Sequence, residues 1–463
     1  MASPPPEAGL TDYERLREEN IRRNDAILAS LRRKAADLSA SLRPTPSCPK
    51  RAKKEPPPRT APASPVVLRR SLRTRGLPPS DSSAADAASP ASPPSPPMPR
   101  TTRFSSSLAS ALRSAAADAS PSAPEGEIRE ADGFDAGRDL MLRPADVRRV
   151  VPERILSVRV LPLADRTVVV AGNKVGHIGF WDVDGIVEDG DSADGVFEYF
   201  PHRGPVGAIV AHPATPRKIY SCSYEGEICL MDVEKEIFNM IQLCDYPVFS
   251  LCQAPNSPSC LYFGEGNGEL KLFDERAGKV STTWNLHDNR INSIDFHLEN
   301  PYIFATSSTD RTACMWDMRS MKKKGPESLK VFEHDRSVQS AYFSPSSSML
   351  ATTSLDDTVR VFNVDNFDDS YIIKHYNQTG RWLSTFKAIW SWNSTDIFIG
   401  NMKRAIDVIS VDRNESGVSA SSKACLESEH MTAIPCRFSL HPYKVGHLAC
   451  ASSGGKVFLW TRA

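Results

Sequence analysis

From about residue 150 onward, hydrophobic and polar residues alternate in short runs that are separated by turns rich in glycine and serine. Alternation over four to eight residues is typical of half-buried β-strands, and tight turns between such runs are typical of hairpins. Each unit has a first strand, a second strand rich in small residues and a third strand with an apolar anchor near its end. The seven anchors lie 42–52 residues apart, at Trp181, Met231, Phe273, Trp316, Phe362, Val408 and Trp460.

Seven units at this period predict an all-β fold, a seven-bladed β-propeller. We assign the propeller to residues 126–463. The sequence ends just after the third strand of the last unit, so the ring needs a fourth strand from the N-terminal side. We expect that closing strand around residues 140–151, where it would remove an exposed sheet edge.

The fourth and fifth units carry histidine, serine and aspartate at matching positions, and the fourth also contains Trp-Asp. A catalytic interpretation exists, because these residue types form nucleophilic triads. Repetition in two neighbouring units favours a structural role, since buried polar groups need partners in every blade. The pattern is that of WD40 repeats, whose buried hydrogen-bonded network is expected to contain His287, Ser308, Asp310 and Trp316 in the fourth unit and His334, Ser354 and Asp356 in the fifth.

The part of the chain before the propeller predicts a helical and disordered basic extension. Residues 1–42 are expected to form an amphipathic helical arm, because apolar residues recur three and four positions apart and Thr11 and Glu14 form a capping box. A solvated, partly helical tail is the alternative. Residues 43–125 are rich in Pro, Ser and Ala and almost free of aromatic residues, a composition that predicts disorder.

Charge is divided unevenly between this extension and the propeller. The whole chain has 56 basic and 56 acidic residues, but residues 1–125 contain 20 basic against 12 acidic, which leaves the propeller acidic. A basic tail suits a polyanion or an import receptor. Lys50, Arg51, Lys53 and Lys54 fit a nuclear-import cluster, and residues 69–75 form a second basic block. We therefore predict a nuclear protein, with plain solvated charge as the alternative.

Several classes of function find no support in the sequence. The ten cysteines include no C-x-x-C pair, so we expect no metal site. Apolar runs are too short for a membrane span, and the N-terminus lacks a secretory pattern. Nucleotide-loop, metalloprotease and hydrolase motifs are missing from the sequence. We expect no enzymatic activity, no cofactor, no small-molecule substrate and no membrane partner, and instead a function in recognition.

Basic residues concentrate in the loops that should open on one face of the propeller. That face collects the loops before first strands and the turns between second and third strands. Cations there pair with phosphates, and an interspersed aromatic residue can stack on bases. Ordinary charged loop tips are the alternative, since acidic residues share the same loops. The predicted nucleic-acid-binding residues are Lys174, Arg203, Arg290, Arg311, Arg336, Arg381, Trp382, Lys403 and Arg404.

Several segments closely resemble the WD repeat-containing protein 76 family, which belongs with the damaged-DNA-binding protein 2 group of WD40 proteins. The N-Q-T-G-R-W and G-N-M-K-R segments are specific, whereas Trp-Asp alone is not. The family's second unit usually reads Y-D-G-[ST]-[IV]-R, where this chain has Y-E-G-E-I-C (224–229), which puts that blade's DNA contact in doubt. The resemblance rests on 13–31, 69–76, 151–155, 171–182, 273–279, 287–297, 377–390 and 400–404.

The resemblance implies a nuclear protein that associates with DNA or chromatin, with other nuclear proteins, and with the response to DNA damage. It also implies a substrate receptor that binds a cullin-4 ubiquitin ligase through damaged-DNA-binding protein 1. The W-D-x-R signature of such receptors gives Arg319, Asp317 and, in a weaker copy, Arg276 as adaptor-binding residues. A salt bridge from Arg319 to a neighbouring blade is the alternative. The competing hypothesis is a protein-interaction scaffold whose DNA association comes only from the basic tail.

Overall fold

The computed structural model describes the propeller and two isolated residues before it. Arg22 is helical and exposed, and the rest of the predicted arm, 1–42, lies outside the described residues, as does the import cluster at 50–54. Leu108 is helical and fully buried, so the structure differs at this residue from the disorder predicted for 43–125. The described residues are 22, 108, 133–164, 166–185, 195–212, 215–233, 235–322, 325–414 and 417–463.

Four short elements precede the first blade. Helix α1 (Ala136–Asp139) has Asp135 as its N-cap, and the side chain of Asp135 accepts a hydrogen bond from the amide of Gly137 at 2.9 Å. The remaining three elements are β1 (Leu140–Met141), a 3-10 turn (Pro144–Asp146) and β2 (Val147–Arg149).

Seven sheets follow around a central channel, and six of them have four consecutive strands. Blades 1 to 3 contain β3 (Ile155–Val160), β4 (Val168–Asn173), β5 (Ile178–Asp182), β6 (Val196–Tyr199), β7 (Val206–His212), β8 (Thr215–Ser223), β9 (Glu227–Asp232), β10 (Ile237–Leu243), β11 (Val248–Gln253), β12 (Cys260–Glu265), β13 (Glu269–Asp274) and β14 (Lys279–Asn285). Blades 4 to 6 contain β15 (Ile291–Phe296), β16 (Ile303–Ser308), β17 (Thr312–Asp317), β18 (Lys330–Glu333), β19 (Val338–Phe343), β20 (Met349–Ser354), β21 (Thr358–Asn363), β22 (Ser370–Lys374), β23 (Ile389–Trp390), β24 (Asp396–Gly400), β25 (Ile406–Asn414) and β26 (Gly417–Leu426). Blade 7 contains β27 (Pro435–Leu440), β28 (Leu448–Ser452) and β29 (Lys456–Arg462).

Blade 7 is completed by the N-terminal side of the chain. Leu140 pairs with Arg462, and Val147 pairs with Phe458, both in antiparallel register with β29. The outer edge of the last strand is therefore covered by β1 and β2, and the two ends of the ring are joined. The fold is the all-β, seven-bladed propeller that the sequence predicts.

The core lies between neighbouring blades. Seven apolar clusters occupy the seven blade interfaces, and each cluster contains residues from both blades that it joins. Leu108 enters the cluster between blades 1 and 2 beside Phe180 and Ile219. Alternation along each strand produces this arrangement, because successive side chains point to opposite faces of a blade. The interfaces hold the first strands around the channel and fix the loops at both of its ends.

Candidate nucleic-acid interface

The predicted basic residues all belong to loops on one face of the propeller, called the basic face below. Lys174, Arg311, Lys403 and Arg404 lie in turns between second and third strands, and Arg203, Arg290, Arg336 and Arg381 lie in loops that lead into first strands. Both kinds of loop open at the same end of the channel because strands alternate in direction within each blade. Whether these residues bind nucleic acid stays a prediction.

Blade 6 presents the most accessible group of cations on this face. Arg381, Lys403 and Arg404 are exposed, and Trp382 has 88% of its surface accessible to solvent. The loop that carries Arg381 is tied to blade 1, because Nη1 of Arg154 donates to the Arg381 carbonyl at 3.0 Å. An exposed indole beside three cations can stack on a base while the cations pair with phosphates.

Arg311 and Arg336 come together in a cleft between blades 4 and 5. Asp288 and Asp335 line the same cleft, so its field is mixed. Arg311 adopts a left-handed backbone conformation at the tip of its turn, with φ of 77°, and its side chain is exposed. Charge in this cleft is therefore partly neutralised, in contrast to the loop group of blade 6.

Two other predicted residues have partners within the propeller. Nζ of Lys174 lies 2.9 Å from Oε2 of Glu153, and this pair lowers the pKa of Glu153. The guanidinium of Arg290 lies 4.8 Å from the ring centre of Phe249 and is half-buried. Neither side chain is as available to a ligand as Lys403 or Arg404.

The buried hydrogen-bond network of blade 4 uses a threonine hydroxyl at the place where the sequence predicts a serine. The two nitrogens of His287 lie 2.8 Å from Asp310 and 2.7 Å from Oγ1 of Thr306, and the Trp316 indole donates to the same Thr306 hydroxyl at 2.8 Å. Ser308 donates to the Asn289 carbonyl and accepts from the Asp310 amide at 3.2 Å. The hydroxyl between His287 and Trp316 is therefore that of Thr306, in the middle of the strand, and Ser308, which ends the strand, contacts the network only through Asp310.

Burial and hydrogen bonding change the pKa of Asp310 in opposite directions. Burial would raise the pKa of Asp310, but hydrogen bonds from His287 and Thr312 outweigh it and lower the pKa to about 2.

In blade 5, the hydroxyl of Thr352 lies 3.2 Å from Nε2 of His334. The predicted Ser354 ends its strand, donates to the Arg336 carbonyl and accepts from the Asp356 amide at 3.3 Å, so it joins the network through Asp356 and not through His334.

His334 is 3.4 Å from Asp356, and burial together with the charge of Arg360 lowers its pKa to about 4. His334 is therefore hydrogen-bonded to Thr352 through Nε2, whereas its Nδ1 lies near Asp356 without a hydrogen bond among the described residues. The same network type in blades 4 and 5 favours the structural interpretation over a catalytic one.

Two further networks lack a sequence signature and were missed. Blade 2 places His202 2.8 Å from Ser221 and 3.3 Å from Glu227, so a glutamate takes the aspartate's role. In blade 6, His375 lies 3.2 Å from Asp407. Longer carboxylates and shifted histidines still satisfy the buried polar groups, but they break the spacing by which the motif is recognised.

Sequence analysis also missed two cations of the channel wall, Lys387 and Arg437. Both lie in first-strand segments that line the channel, and both are half-buried. Each occupies a position where neighbouring repeats have a small residue. A single charged residue within a short apolar run could have drawn attention to them.

Arg319 lies on the opposite face, after the end of β17. Its guanidinium pairs with Asp317 at 2.8 Å and lies 5.1 Å from the ring centre of Tyr302, within the same blade. The bridge to a neighbouring blade, given as the alternative, is therefore not the arrangement found. The Arg319 side chain keeps 58% of its surface exposed, and Arg276 is exposed on the same face.

Among the described residues, no helix is long and apolar enough to cross a membrane. The described part of the chain also contains no group of three or more His, Cys, Asp and Glu residues arranged to hold a metal ion.

Comparison with known proteins agrees with this architecture. The family "WD domain, G-beta repeat" matches residues 278–317 and 326–363. DNA damage-binding protein cmr1 of Neurospora crassa is 29% identical over 348 residues, covering 67% of this chain and 65% of that protein. The Aspergillus terreus protein of the same name is 27% identical over 352 residues, with coverage of 67% and 65%.

WD repeat-containing protein 76 of Xenopus laevis is 30% identical over 334 residues, covering 69% of this chain and 55% of that protein. The chain thus spans about two thirds or less of the length of these relatives. The WD40 propeller is a fold typical of non-enzymatic scaffolds, and the relatives' names denote DNA damage-binding and WD-repeat proteins. The chain therefore contains WD40 repeats in a seven-bladed propeller and has homologues named WD repeat-containing protein 76 and DNA damage-binding protein cmr1.

Proposed function

We propose that the propeller binds DNA through its basic face, in the nucleus, as part of the response to DNA damage. The observation that carries this proposal is the loop group of blade 6. Arg381, Lys403 and Arg404 are exposed in the two loops of blade 6 on the basic face, one of which also carries Trp382, and none of the three cations has a carboxylate within 4 Å among the described residues. The relatives' names support DNA as the ligand.

Binding by phosphate contacts explains how a net-acidic propeller associates with a polyanion. Local cations release counterions from the duplex, and the release drives association even when the distant surface is acidic. Trp382 adds a stacking surface for an unpaired base, which would favour DNA whose helix is interrupted. The basic blocks of the N-terminal extension would add sequence-independent affinity and serve nuclear import.

Removal of residues 1–92, which contain both basic blocks and leave the buried Leu108 in place, tests whether the propeller or the tail carries the binding. We expect residues 93–463 to retain salt-dependent binding to a nicked duplex, with an affinity lowered about tenfold by loss of the tail's contacts. The measurement is a salt-titrated fluorescence anisotropy comparison of intact, nicked and ultraviolet-damaged duplexes. A propeller that binds none of them would support the alternative, a scaffold with tail-driven DNA association.

We further propose that the face opposite the DNA binds an adaptor of a cullin-4 ubiquitin ligase, damaged-DNA-binding protein 1. Arg319 supports the proposal because it is exposed and held in one orientation by Asp317 and Tyr302. A fixed guanidinium loses little conformational entropy when it forms bidentate bonds to a partner. DNA on one face and an adaptor on the other would allow both to bind together.

Arg319→Ala is expected to reduce capture of the purified adaptor by about tenfold, because a charge-assisted bond at the interface is lost. Surface plasmon resonance with immobilised protein would measure the change. Arg413→Ala is the matched control, since Arg413 is also exposed and pairs with a single aspartate, Asp365. Equal adaptor affinity for the wild type and Arg319→Ala would contradict the proposal.

A further inference from the structure

The first strands of the blades line the channel, and six of them share one irregularity. A register shift interrupts the pairing of the first strand with the second near its start. The residue after each shift therefore occupies an equivalent position. In blades 1 to 5 this residue is small: Ser157, Ala208, Ser250, Ser293 and Ser340.

Blades 6 and 7 place cations at the equivalent position. Arg437 follows the shift in blade 7 and pairs with Ala451. In blade 6 the amide of Ser391 donates to the Asp396 carbonyl, as the amide of Ser344 donates to the Met349 carbonyl in blade 5. Lys387, four residues before Ser391, is thus the counterpart of Ser340, four residues before Ser344. Blades 6 and 7 thus carry a long cationic side chain at a position where the other five blades carry a small residue. This position lies near the end of the channel that opens on the basic face.

These two side chains reach across blade boundaries. Nζ of Lys387 donates to the carbonyl of Asn292 in blade 4 at 2.9 Å. Arg437 donates through Nε to the Leu156 carbonyl of blade 1 at 2.8 Å and through Nη1 to the Thr385 carbonyl of blade 6. Among the described residues, neither cation has a carboxylate within 4 Å. Nζ of Lys387, which makes one hydrogen bond, and the Nη2 group of Arg437 remain available as donors in the channel.

Two more arginines stand at the rim above this pair. Nε of Arg154 and Nε of Arg290 are buried and have no acceptor among the described residues. Arg290 lies over Phe249, whose ring centre is 4.5 Å from that of Tyr224. The rim therefore contains two Nε donors that lack an acceptor among the described residues, together with a pair of aromatic rings.

The four cations repel one another in a place that water reaches poorly. Burial, and then the charges of Arg437 and Arg290, lower the pKa of Lys387 well below its usual range. The carboxyl group of Asp295 also lines the cavity, two residues after Ser293 in β15. It accepts from the Phe343 amide at 2.7 Å, and burial raises its pKa to about 7. Packing alone does not account for such a cluster, because apolar residues would fill the space at lower cost.

We propose that the end of the channel that opens on the basic face is a binding site for a phosphate-class oxyanion. Lys387 and Arg437 are its principal ligands, and the Nε groups of Arg154 and Arg290 lie at its rim. The channel cavity as a whole, which runs from Lys387 and Arg437 to Leu298 and Pro345 at its other end, has a volume of about 410 Å³, so a phosphate group has room beside the two ligands. This inference goes beyond the proposed function, because neither principal ligand belongs to the exposed loops of the basic face. The source of the oxyanion is either a phosphate of an unpaired DNA strand or a free polyphosphate.

Tripolyphosphate titrated calorimetrically into the full chain tests the site directly. We expect one saturable site in the wild type, and in Lys387→Met an affinity weakened by about 10- to 100-fold, since one charge-assisted donor is lost. The matched control Lys279→Met changes an exposed lysine of an outer strand and should bind like the wild type. Absence of saturable binding, or equal affinity in Lys387→Met, would overturn the proposal.

Folding of the variant is monitored by its melting temperature without ligand. Lys387→Met should melt at or above the wild-type temperature, because it removes a half-buried charge and keeps the length of the side chain. Loss of binding in a variant of undiminished stability would then reflect the site. Arg437→Lys, which keeps the charge but not the fork of donors, should weaken tripolyphosphate binding as well.

A competition experiment separates the two sources of the oxyanion. Displacement of a short single-stranded oligonucleotide by tripolyphosphate, abolished in Lys387→Met, identifies the DNA phosphate. Binding of tripolyphosphate that depends on Lys387 and leaves the oligonucleotide in place identifies a free polyphosphate. If variants of Arg381, Lys403 and Arg404 lose duplex DNA and keep tripolyphosphate, the channel site and the basic face are independent.

Discussion

Simultaneous reversal of Arg381, Lys403 and Arg404 to glutamate is expected to weaken duplex binding by about 100- to 1000-fold at about 0.1 M salt. Each of the three lost phosphate contacts contributes roughly tenfold at that salt concentration. The slope of log affinity against log salt should fall in magnitude by about 3, because three fewer counterions are released. Fluorescence anisotropy between about 50 and 200 mM salt measures both quantities.

A control with the same change in net charge separates local contacts from overall repulsion. Arg276, Lys279 and Lys322 are exposed and lie at the opposite face. Their reversal to glutamate should lower affinity only a few-fold, through long-range charge that salt screens. Equal losses in the two triple variants would argue against a DNA site on the basic face.

The ring itself was predictable because its physical cause repeats along the chain. Each blade needs an inner strand, a strand of small residues and an apolar anchor, so seven anchors from Trp181 to Trp460 reveal seven sheets. The closing strand was predictable for a similar reason. A ring whose seventh sheet has three strands leaves a sheet edge exposed, and β1 and β2 from the N-terminal side cover that edge.

The side-chain networks were less predictable, because spacing does not fix which hydroxyl lies at the level of the indole. Thr306 and Ser308 project to the same side of β16, and both are chemically able to bridge His287 and Trp316. Only the register, which sets Phe304 opposite Trp316, brings Thr306 within 2.8 Å of the indole nitrogen. A shift of two residues along a strand cannot be read from residue types alone.

The channel cations could not be predicted as a group. Lys387 and Arg437 are 50 residues apart, and their proximity follows from the closure of blades 6 and 7 around a shared axis. The burial of Leu108 is equally invisible, since a single leucine in a segment rich in Pro, Ser and Ala carries no periodic pattern. Contacts between distant segments depend on the assembled ring.

The ring is closed by a close backbone contact between the segment after β2 and the turn that joins β28 to β29. The amide of Val150 donates to the Gly455 carbonyl at 3.0 Å, and Val150 and Val151 are buried between blades 7 and 1. Gly455 has a φ of +78°, and a methyl group there would overlap the carbonyl oxygen of Val151. Glycine is therefore needed both for backbone conformation and for close approach.

Gly455→Ala is accordingly expected to lower the free energy of unfolding by at least about 3 kcal/mol, the sum of left-handed strain and displacement of the closing segment. Gly278→Ala is the matched control, because Gly278 has a φ of +62° but no heavy atom near its added methyl group. It should cost only about 1 kcal/mol, the strain alone. Urea denaturation of both variants measures the difference, and equal costs would mean that the crossing at Val151 does not hold the ring closed.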